Sequence, residues 1–413
     1  MIDRLLVLSS KEHVKNELSK KGFDSAIIDE LEQVLLRIRA LKTSLNELSR
    51  YRNEVSRETT VSNDEKRDLR TRIAQTVNEL VEAEKHANEL LYSIPNLPEA
   101  DAPVGLDASD NVIISQSHSH YACRATEPKP HWHIAESLGI LDTKMAGRIS
   151  GSRFALFKGR GAKLLRALVN YCMSMHEEKY LEILPPHLVS SESLRYTGHL
   201  PRFAEEQYKC IADDLWLIPT AEVPLTAAYA GRVFSAGSLP QCFMGYTLAF
   251  RRETSSSGKE NRGLQRIHEF HKVELLKIAE PESVQAELDD LLEDCLRIIK
   301  DLQLEYRVVD LCTGDMGDKY ARCYDIEVYA PGIKKWLEVS SVGHFSDYQA
   351  RRAGIEYVNS RGKKKLAYTL NGSGIATPRV WAAIVETYQN PDGSVSVPEA
   401  LVPLMGCDTI LRK

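Results

Sequence analysis

The sequence predicts an α+β fold, in which an N-terminal antiparallel helical hairpin precedes a domain built on an antiparallel β-sheet flanked by helices. Residues 27–91 contain neither glycine nor proline, and their apolar residues recur every three or four positions. A proline-rich segment follows at 93–105, and short apolar or alternating runs occupy the rest. At about 150 residues per domain the length allows two or three domains, and with the boundary at the proline-rich segment we expect residues 1–104 and 105–413.

Two apolar stripes separated by a polar stretch predict the hairpin. One stripe begins at Leu31 and the other at Leu69, and both average close to the 3.5-residue period of packed helices. Between them, Ser62 and Glu65 have the spacing of a capping box, which predicts the start of the second helix. The stripes fit a dimerisation coiled coil or an internal bundle as well as they fit a projecting arm over about 27–91.

The charges of this hairpin favour a phosphate-bearing partner. The whole chain carries 53 basic and 58 acidic residues, a balance that does not by itself suggest nucleic acid. In residues 37–72, however, ten basic residues stand against six acidic ones. A basic outer arm attracts a phosphate backbone, although solvated helix faces also carry charge.

The second domain is predicted from segments of differing periodicity. An apolar face that repeats from Leu164 to Met175 indicates a helix over 160–178, and further helices are expected at about 281–303 and 375–388. Strands are indicated by the runs YLEILP, DLWLIPTAE, YTLAFRRE, HKVELLKI, YDIEVY and KWLEVSSV. Many strands with few crossover helices predict an antiparallel sheet.

The stretch at residues 250–274 combines groups that suit a nucleotide. We expect a strand bearing Phe250, Arg251 and Glu253, a long polar loop, and a second strand bearing Phe270 and Glu274. Arginine suits a phosphate because its planar fork donates two hydrogen bonds. An ordinary hairpin with a charged loop explains this stretch equally well when it is taken alone.

Three other segments carry polar residues at positions where they could bind a ligand. Small residues precede a predicted helix in NGSGIATPR, with Arg379 near its start, where anions are favoured. Glu338 and Ser341 offer oxygen ligands for Mg²⁺, but in a regular strand they would face opposite sides, so shared ligation needs a bend. Thr220 and Glu222 would lie on one side of a strand, where they could hold a small amine-bearing ligand. A half-buried strand with a polar end is the simpler interpretation of Glu338 and Ser341, and an ordinary solvated strand face explains Thr220 and Glu222 equally well.

Together these segments resemble the seryl-tRNA synthetases, a family of class II aminoacyl-tRNA synthetases. The resemblance covers nearly the whole chain and rests on the order and spacing of the hairpin, TGHLPRF, PTAE, FRRE with RGLQRIHEF, EVSS, DYQARR and LNGSGIATPR. Helix 160–178 with LEILPPHLV looks like the family's motif 1, which builds a dimer interface. The resemblance implies ATP-dependent attachment of L-serine to serine tRNA through a seryl-adenylate, and serylation of selenocysteine tRNA where that tRNA is present.

The resemblance also implies a role for each matching residue. It implies serine binding by Thr220, Glu222, Arg251, Glu274 and Ser373. It implies ATP binding by Arg251, Arg252, Glu253, Phe270, Glu338, Val339, Ser340, Ser341 and Arg379, with Arg251 and Arg379 as the catalytic cations. Mg²⁺ bound with ATP would be held by Glu338 and Ser341. The arm would grip the tRNA through Arg37, Arg39, Lys42, Arg50, Arg52 and Arg57.

Some positions depart from the family pattern that we expect. Arg252 replaces a small or polar residue, and the segments ENRG (260–263), HEFHKVE (268–274) and VGHF (342–345) differ from the usual ones. These departures permit a specialised paralogue, such as one that resists a serine-mimicking inhibitor. A synthetase-like protein without catalysis is disfavoured because Arg251, Glu338 and Arg379 are present. A relative that loads a carrier protein is disfavoured because such relatives lack the long arm.

Metal and compartment are predicted from composition. His118, His120, Cys123, His131 and His133 have ligand-like spacing, but without a CxxC pair we expect no zinc there. The eight scattered cysteines fit a reducing compartment. Because the chain shows neither a secretory signal at its start nor an apolar run of about 20 residues, we expect a cytoplasmic protein with no membrane contact. The resemblance implies that it is a homodimer. A mitochondrial enzyme without its transit peptide is the alternative.

Overall fold

The structure, a computed structural model, describes residues 1–56, 62–117, 123–254 and 262–412. The chain divides into two compact units, Met1–Leu97 and Pro98–Lys413. The division falls inside the proline-rich segment at 93–105. Within the described residues, no helix combines the length and the apolar composition needed to cross a bilayer.

The first unit is a helical hairpin with two short helices at its base. Its described helices are α1 (Arg4–Ser9), α2 (Lys11–Lys20), α3 (Ala26–Val55) and α4 (Asn63–Ser93). The long helices are antiparallel, since the Tyr51 hydroxyl donates to Glu65 at 2.8 Å and Arg37 pairs with Glu79 at 3.1 Å. Leu31 and Ala87 are completely buried between them, as the apolar stripes predict.

The start of α4 is fixed by the residue that the sequence singles out. The Ser62 hydroxyl accepts a hydrogen bond from the Glu65 amide at 3.2 Å. This bond satisfies one of the amides that a helix leaves unpaired in its first turn. Asp64 and Glu65 then place acidic side chains in that turn, where the helix dipole favours negative charge.

The second unit contains the sheet and the helices that cover it. Its described helices are α5 (His131–Leu138), α6 (Thr143–Ser150), α7 (Arg160–His176), α8 (Ser191–Tyr196), α9 (Glu222–Ala227), α10 (Val284–Asp301), α11 (Tyr348–Ala353), α12 (Thr377–Thr387) and α13 (Val402–Met405). Its described strands are β1 (Val112–Gln116), β2 (Leu181–Glu182), β3 (Leu188–Ser190), β4 (Leu215–Leu217), β5 (Val233–Phe234), β6 (Gln241–Phe250), β7 (Glu269–Ala279), β8 (Tyr306–Asp310), β9 (Arg322–Ala330), β10 (Lys335–His344), β11 (Glu356–Val358), β12 (Lys364–Leu366), β13 (Tyr368–Ala376), β14 (Val395–Ser396) and β15 (Thr409–Ile410).

In the described part of the chain, eight of these strands form one sheet in the order β1-β8-β9-β10-β13-β7-β6-β2. Every neighbouring pair is antiparallel except β6 and β2. The predicted α+β class, with a helical hairpin before an antiparallel sheet, is confirmed. Strands β10, β13 and β7, which lie side by side at the centre, are far apart in sequence.

Helices α7, α10 and α12 cover one face of this sheet and form the main core. Trp381 of α12 is completely buried, and its indole N–H donates to the Gly161 carbonyl oxygen on α7 at 3.1 Å. A Cβ at Gly161 would lie 2.2 Å from the Ile140 carbonyl oxygen. Glycine is therefore required at position 161 for α7 to lie this close to the Ile140 backbone. The predicted helices at 160–178 and 375–388 correspond to α7 and α12.

Two local predictions are wrong. Thr220 and Glu222 are not on one side of a strand, because β4 ends at Leu217 and Glu222 begins helix α9. Arg251 and Glu253 are not on a strand either, because β6 ends at Phe250. The apolar pattern reaches the ends of both strands, but proline at 219 and the positive φ of 50° at Glu253 stop a regular ladder.

Candidate active site

A cavity of about 410 Å³ opens on the second unit. It is bordered by the ends of the central strands and by the segments before α9 and after β6. The residues predicted for serine and ATP that line it are Thr220, Glu222, Arg251, Glu253, Phe270, Glu338, Val339, Ser340, Ser341, Ser373 and Arg379. Glu274 lies fully buried beneath Thr220. Arg252 is not among the lining residues, and its guanidinium lies 3.9 Å from Glu205.

Strand alternation explains how β7 supplies three groups to one face. Phe270, Lys272 and Glu274 are two residues apart, so their side chains point the same way. Val273 and Leu275 point the other way and are completely buried in the core beneath the helices. The polar face of β7 therefore belongs to the cavity and the apolar face to the core.

The deep end of the cavity holds two buried carboxylates that share one amide. The Asn371 amide donates to Glu222 at 3.0 Å and to Glu274 at 2.7 Å. The Thr220 hydroxyl donates to Glu274 at 2.5 Å, and the Gln349 amide donates to Glu222 at 2.7 Å. Apart from Thr220 and Glu222, these side chains come from different segments, so the carboxylates meet only in the folded chain.

Two lysines neutralise these carboxylates. Lys272 pairs with Glu274, and Lys319 pairs with Glu222. Burial, the largest single effect, would raise the pKa of the Glu222 carboxyl, but the charge of Lys319 together with hydrogen bonds from Lys319 and Gln349 brings the pKa below its ordinary value. Burial lowers the pKa of Lys272, and Glu274 offsets only part of that effect. The ionised form of Glu222 is thus favoured deep inside the cavity.

His199 borders the same end of the cavity as a neutral group. Burial, followed by the positive charge of Lys319, lowers the pKa of His199 to about 3. Its Nδ1 lies 2.8 Å from the Thr197 hydroxyl. At neutral pH the ring therefore adds hydrogen-bonding capacity without adding charge.

A bulge in β10 brings Glu338 and Ser341 together. The pairing of β10 with β9 shifts between Glu338 and Ser340, so that Val339 is the extra residue. The Ser341 hydroxyl donates to the Glu338 carboxylate at 3.3 Å. The bend that shared ligation requires is thus present. Desolvation would raise the pKa of Glu338, but Arg379 and then Arg251 outweigh it and lower that pKa.

Asp325 on β9 lies opposite Ser341 and adds a third oxygen-bearing group. Its Oδ1 atom is buried and has no hydrogen-bond partner among the described residues. Burial, together with the charge of Glu338, raises the pKa of Asp325 well above its ordinary value. A buried carboxylate oxygen without a donor beside another carboxylate is the arrangement that a hard cation would stabilise.

The two predicted catalytic arginines are held by backbone carbonyl groups. Arg379 donates to the Gln265 carbonyl oxygen at 3.1 Å and to that of Glu338 at 2.7 Å. Arg251 donates to the Pro219 carbonyl oxygen at 3.3 Å, and its guanidinium lies 5.3 Å from the centre of the Phe270 ring. Arg379 also lies 3.3 Å from the Glu338 carboxylate, which offsets part of its charge. Because the carbonyl acceptors are neutral, they orient both guanidinium groups without offsetting their charge.

Sequence reasoning missed several groups at the deep end. Lys272 and Asn371 could have been found, because each lies two residues from a chosen residue on a strand and so shares its face. His199 lies in TGHLPRF, which carries the resemblance without an expected site role. Lys319 could not have been found, since it lies on an irregular segment without a periodic signal.

The histidine-rich segment does not gather into a metal site among the described residues. His118 and His120 lie outside the described ranges. His131 is completely buried and contacts Glu386, so it does not face solvent. No group of three or more potential metal-binding side chains occurs in the described portion of the chain.

The described members of the predicted tRNA-binding set lie on α3 of the first unit. Arg37, Arg39, Lys42, Arg50 and Arg52 are all exposed, whereas Arg57 falls outside the described ranges. Arg39 and Arg50 are eleven residues apart, which is about three helical turns, so they share one face.

Comparison with known proteins first identifies the class of the second unit. Residues 208–388, which contain most of the cavity, match the family model of the tRNA synthetase class II core domain (G, H, P, S and T). The antiparallel sheet with its helices and the arginine-bearing cavity agree with that class. Residues 1–98 match the model of the seryl-tRNA synthetase N-terminal domain.

Full-length relatives identify the family. The chain is 41% identical to the serine--tRNA ligase of Cyanothece sp. over 99% of this chain and 100% of that protein. It is also 41% identical to that of Geobacillus kaustophilus over the full length of both. The chain is also similar to the crystal structure of seryl-tRNA synthetase from Pyrococcus horikoshii complexed with ATP, with a TM-score of 0.93 and 30% identity over 100% of this chain and 100% of that chain. The chain belongs to the seryl-tRNA synthetase family. The predicted family and ligase class are confirmed.

The pKa of His199 predicts a pH-dependent stability. Because the native pKa is about 3 and the ordinary value is about 6.5, the unfolded state binds a proton between these pH values and the native state does not. Stability therefore falls as the pH falls from about 6.5 toward 3, by up to about 1 kcal/mol per pH unit. Chemical denaturation at pH 7.5, 6.0 and 5.0 measures this slope.

His199→Gln should flatten that slope, whereas His187→Gln, at an exposed position of the same unit, should leave it unchanged. Equal slopes in the wild type and the His199→Gln variant would contradict the assignment.

Proposed function

We propose that this chain joins L-serine to serine tRNA with ATP, through a seryl-adenylate intermediate, and that it also serylates selenocysteine tRNA where that tRNA is present. One observation carries the proposal: a single cavity combines paired buried carboxylates, Glu222 and Glu274, with two arginines, Arg251 and Arg379. Carboxylates suit the ammonium and hydroxyl of serine, and arginines suit phosphates. The similar proteins are serine--tRNA ligases, and one solved relative is complexed with ATP.

We assign the deep end of the cavity to serine. The favoured ionised form of Glu222 would bind the amino acid's ammonium group, which would take the place of Lys319. Thr220 and Glu274 are already hydrogen-bonded to each other at 2.5 Å and could exchange that bond for the serine hydroxyl. Ser373 lies beside them on β13 and would close the pocket around a small side chain.

We assign the opposite end to ATP. The Phe270 ring offers a flat apolar face for adenine, and Arg251 next to it would meet both the α-phosphate and the serine carboxylate. Arg379, at the start of α12, would hold the γ-phosphate. Glu253, Glu338, Val339, Ser340 and Ser341 line the same end, and Arg252 would contact ATP from outside the cavity rim.

The residues of β10 fit Mg²⁺ bound together with ATP. Glu338 and Ser341 approach each other through the bulge, and Asp325, which has one carboxylate oxygen without a hydrogen-bond partner among the described residues, pairs with Ser341 across the two strands. All three provide the hard oxygen donors that Mg²⁺ prefers. When bound, the ion would neutralise phosphate charge.

The first step needs positioning of anions more than proton transfer. The serine carboxylate oxygen attacks the α-phosphorus of ATP, the bond from that phosphorus to the bridging oxygen breaks, and pyrophosphate leaves. Both reactants are negatively charged, so the main requirement is fixed positive charge. Arg251 and Arg379 meet that requirement, since their orientations are set by backbone carbonyl groups before substrate binds.

In the second step, the 2′- or 3′-hydroxyl of the terminal adenosine of the tRNA attacks the activated carbonyl, and AMP leaves. We propose that the arm of the first unit holds this tRNA through Arg37, Arg39, Lys42, Arg50, Arg52 and Arg57. Support comes from the exposure of the described members of this set and from the basic excess of residues 37–72. Phosphate contacts of this kind position an RNA without reading its sequence.

We also propose that the protein is a cytoplasmic homodimer. Leu181 and Leu184, which follow α7, leave 61% and 77% of their surfaces exposed, and β2 is an edge strand of the large sheet. Exposed leucines beside an unpaired strand edge mark an interface. A reducing compartment agrees with eight free cysteines among the described residues.

The dimer proposal predicts a particle of twice the chain mass of 46.5 kDa in light scattering. Leu181→Asp with Leu184→Asp should shift the mass toward the monomer, because charge cannot be buried there without a partner. Ile211→Asp is the control, since that side chain is fully exposed elsewhere. A wild-type monomer at tens of micromolar would contradict the proposal.

The amino-acid specificity is tested by ATP–pyrophosphate exchange with a panel of amino acids. We expect serine to support exchange and threonine and alanine not to. Alanine lacks the hydroxyl that Thr220 and Glu274 would bind, and threonine adds a methyl group to a pocket that Ser373 closes around a small side chain. Exchange with another amino acid alone would overturn the assignment.

The same assay tests the site. Arg251→Ala should lower exchange by at least about 100-fold through lost charge stabilisation. Arg361→Ala, at an exposed loop position outside the cavity, should not lower it. Near-normal exchange by Arg251→Ala would show that the arginine is misassigned.

The arm is tested by shortening it without changing its register. The contacts of Tyr51 with Glu65 and of Arg37 with Glu79 define how the two long helices pair, and they place Ser44 opposite Arg72. A short turn can therefore replace residues 45–71 without changing that pairing. We expect normal exchange but no tRNA charging. In the full-length chain, Arg39→Glu with Arg50→Glu should raise the KM for tRNA by about tenfold or more, whereas the matched Lys replacements should not. Unchanged charging by the shortened protein would exclude the arm from tRNA binding.

A further inference from the structure

A buried histidine connects helix α12 to the wall of the cavity. Glu386, near the end of α12, is completely buried and its carboxylate accepts four hydrogen bonds. The backbone amides of Gly332 and Ile333 donate to its Oε2 atom at 2.8 and 3.0 Å. The backbone amide and the Nδ1 atom of His131 lie 2.9 and 2.7 Å from its Oε1 atom. The carboxylate is therefore fully satisfied and holds the His131 ring in one orientation.

The other ring nitrogen of His131 holds the segment that returns to β7. The Leu264 amide donates to His131 Nε2 at 3.0 Å. Because a backbone N–H can only donate, Nε2 must be the unprotonated nitrogen, and Nδ1 must carry the proton that is donated to Glu386. The order Glu386, His131, Leu264 thus fixes a single tautomer and a single direction for each hydrogen bond.

The residues before Leu264 pack against the same histidine without spare room. Gly263 has a φ of 75°, and a Cβ there would lie 2.2 Å from His131 Nε2 and 2.7 Å from the Trp132 ring. The Arg262 guanidinium lies 5.3 Å from the centre of that ring. Residues 262–264 are thus seated on His131 and Trp132, and glycine is needed at 263 for both its space and its backbone conformation.

Helix α12 also holds Gln265, the residue after Leu264, through a direct hydrogen bond from Arg379. Arg379 and Glu386 are seven residues apart on α12, two turns along nearly the same face. Arg379 donates directly to the Gln265 carbonyl oxygen at 3.1 Å, while Glu386 reaches Leu264 through His131. Leu264, Gln265, Arg266 and Ile267 all line the cavity. The position of this wall and the orientation of Arg379 are therefore set together.

We propose that His131 is a positioning residue for the ATP end of the cavity. It holds residues 262–267 where they can receive the nucleotide and where the Gln265 carbonyl orients Arg379. The inference rests on the proposed function for the identity of the substrates. The effect of losing His131 should be confined to the ATP end of the cavity. In the described structure, Thr220, Glu222 and Glu274 make none of their hydrogen bonds with residues 262–267.

Two replacements of similar polarity distinguish positioning from core filling. The amide of glutamine at position 131 can reach the place of Nε2 and accept from Leu264, whereas asparagine can reach only the place of Nδ1, toward Glu386. His131→Asn should therefore raise the KM for ATP in pyrophosphate exchange by roughly tenfold, because it leaves the Leu264 amide without its acceptor. The KM for serine should stay within about twofold, and His131→Gln should restore most of the ATP value.

Gly263→Ala reaches the same contact from the opposite side and leaves His131 and Glu386 unchanged. Its Cβ should displace residues 262–264 from the ring and raise the KM for ATP as His131→Asn does. Because both changes break one contact, their effects in the double variant should be far from additive. This variant also serves if His131→Asn does not fold.

Binding of ATP by each folded variant, measured by calorimetry without serine, separates this inference from the proposed function. A tenfold weaker Kd for ATP in His131→Asn and Gly263→Ala, with near-wild-type values in His131→Gln, supports it whether or not serine proves to be the substrate. Unchanged ATP affinity in both, equal losses in His131→Asn and His131→Gln, or a matching rise in the KM for serine would overturn it. Failure of wild-type exchange with serine would overturn the proposed function alone.

Discussion

The site depends on keeping two carboxylates together inside the protein. Glu222 and Glu274 share the amide of Asn371, and two like charges so close and so deeply buried are unfavourable unless cations and hydrogen bonds compensate them. Lys319 and Lys272 provide that compensation. Because these groups come from four separate segments, the order of the central strands and the loops beside them must be maintained for the pocket to exist.

Local departures from regular strand structure help to position the groups that border the cavity. The bulge at Val339 lets Glu338 and Ser341 meet, and β6 ends at Phe250, immediately before Arg251. Glycine at 263 lets the returning segment lie directly against His131. Each irregularity lies at the cavity, while the strands behind it keep their pairing and carry the core.

Helix α12 contributes side chains both to the cavity and to the packed core. Arg379 near its start reaches the cavity, Trp381 fills the core against α7, and Glu386 near its end anchors His131. A single rigid element thus orients a cation, buries a large apolar side chain and holds a cavity wall. Side chains supported in this way need little rearrangement when a charged substrate arrives.

The sequence by itself determined the fold class, the two long helices with the Ser62 cap, and the order of the segments that contribute to the site, because periodicity and capping act over a few residues. It also identified Glu338 with Ser341 and the need for a bend between them. Only the tertiary structure decided that Glu222 begins a helix, that Lys319 neutralises it, and that His131 joins α12 to the cavity wall. Those relations join residues tens to hundreds of positions apart, and no local pattern records which of them will be brought into contact.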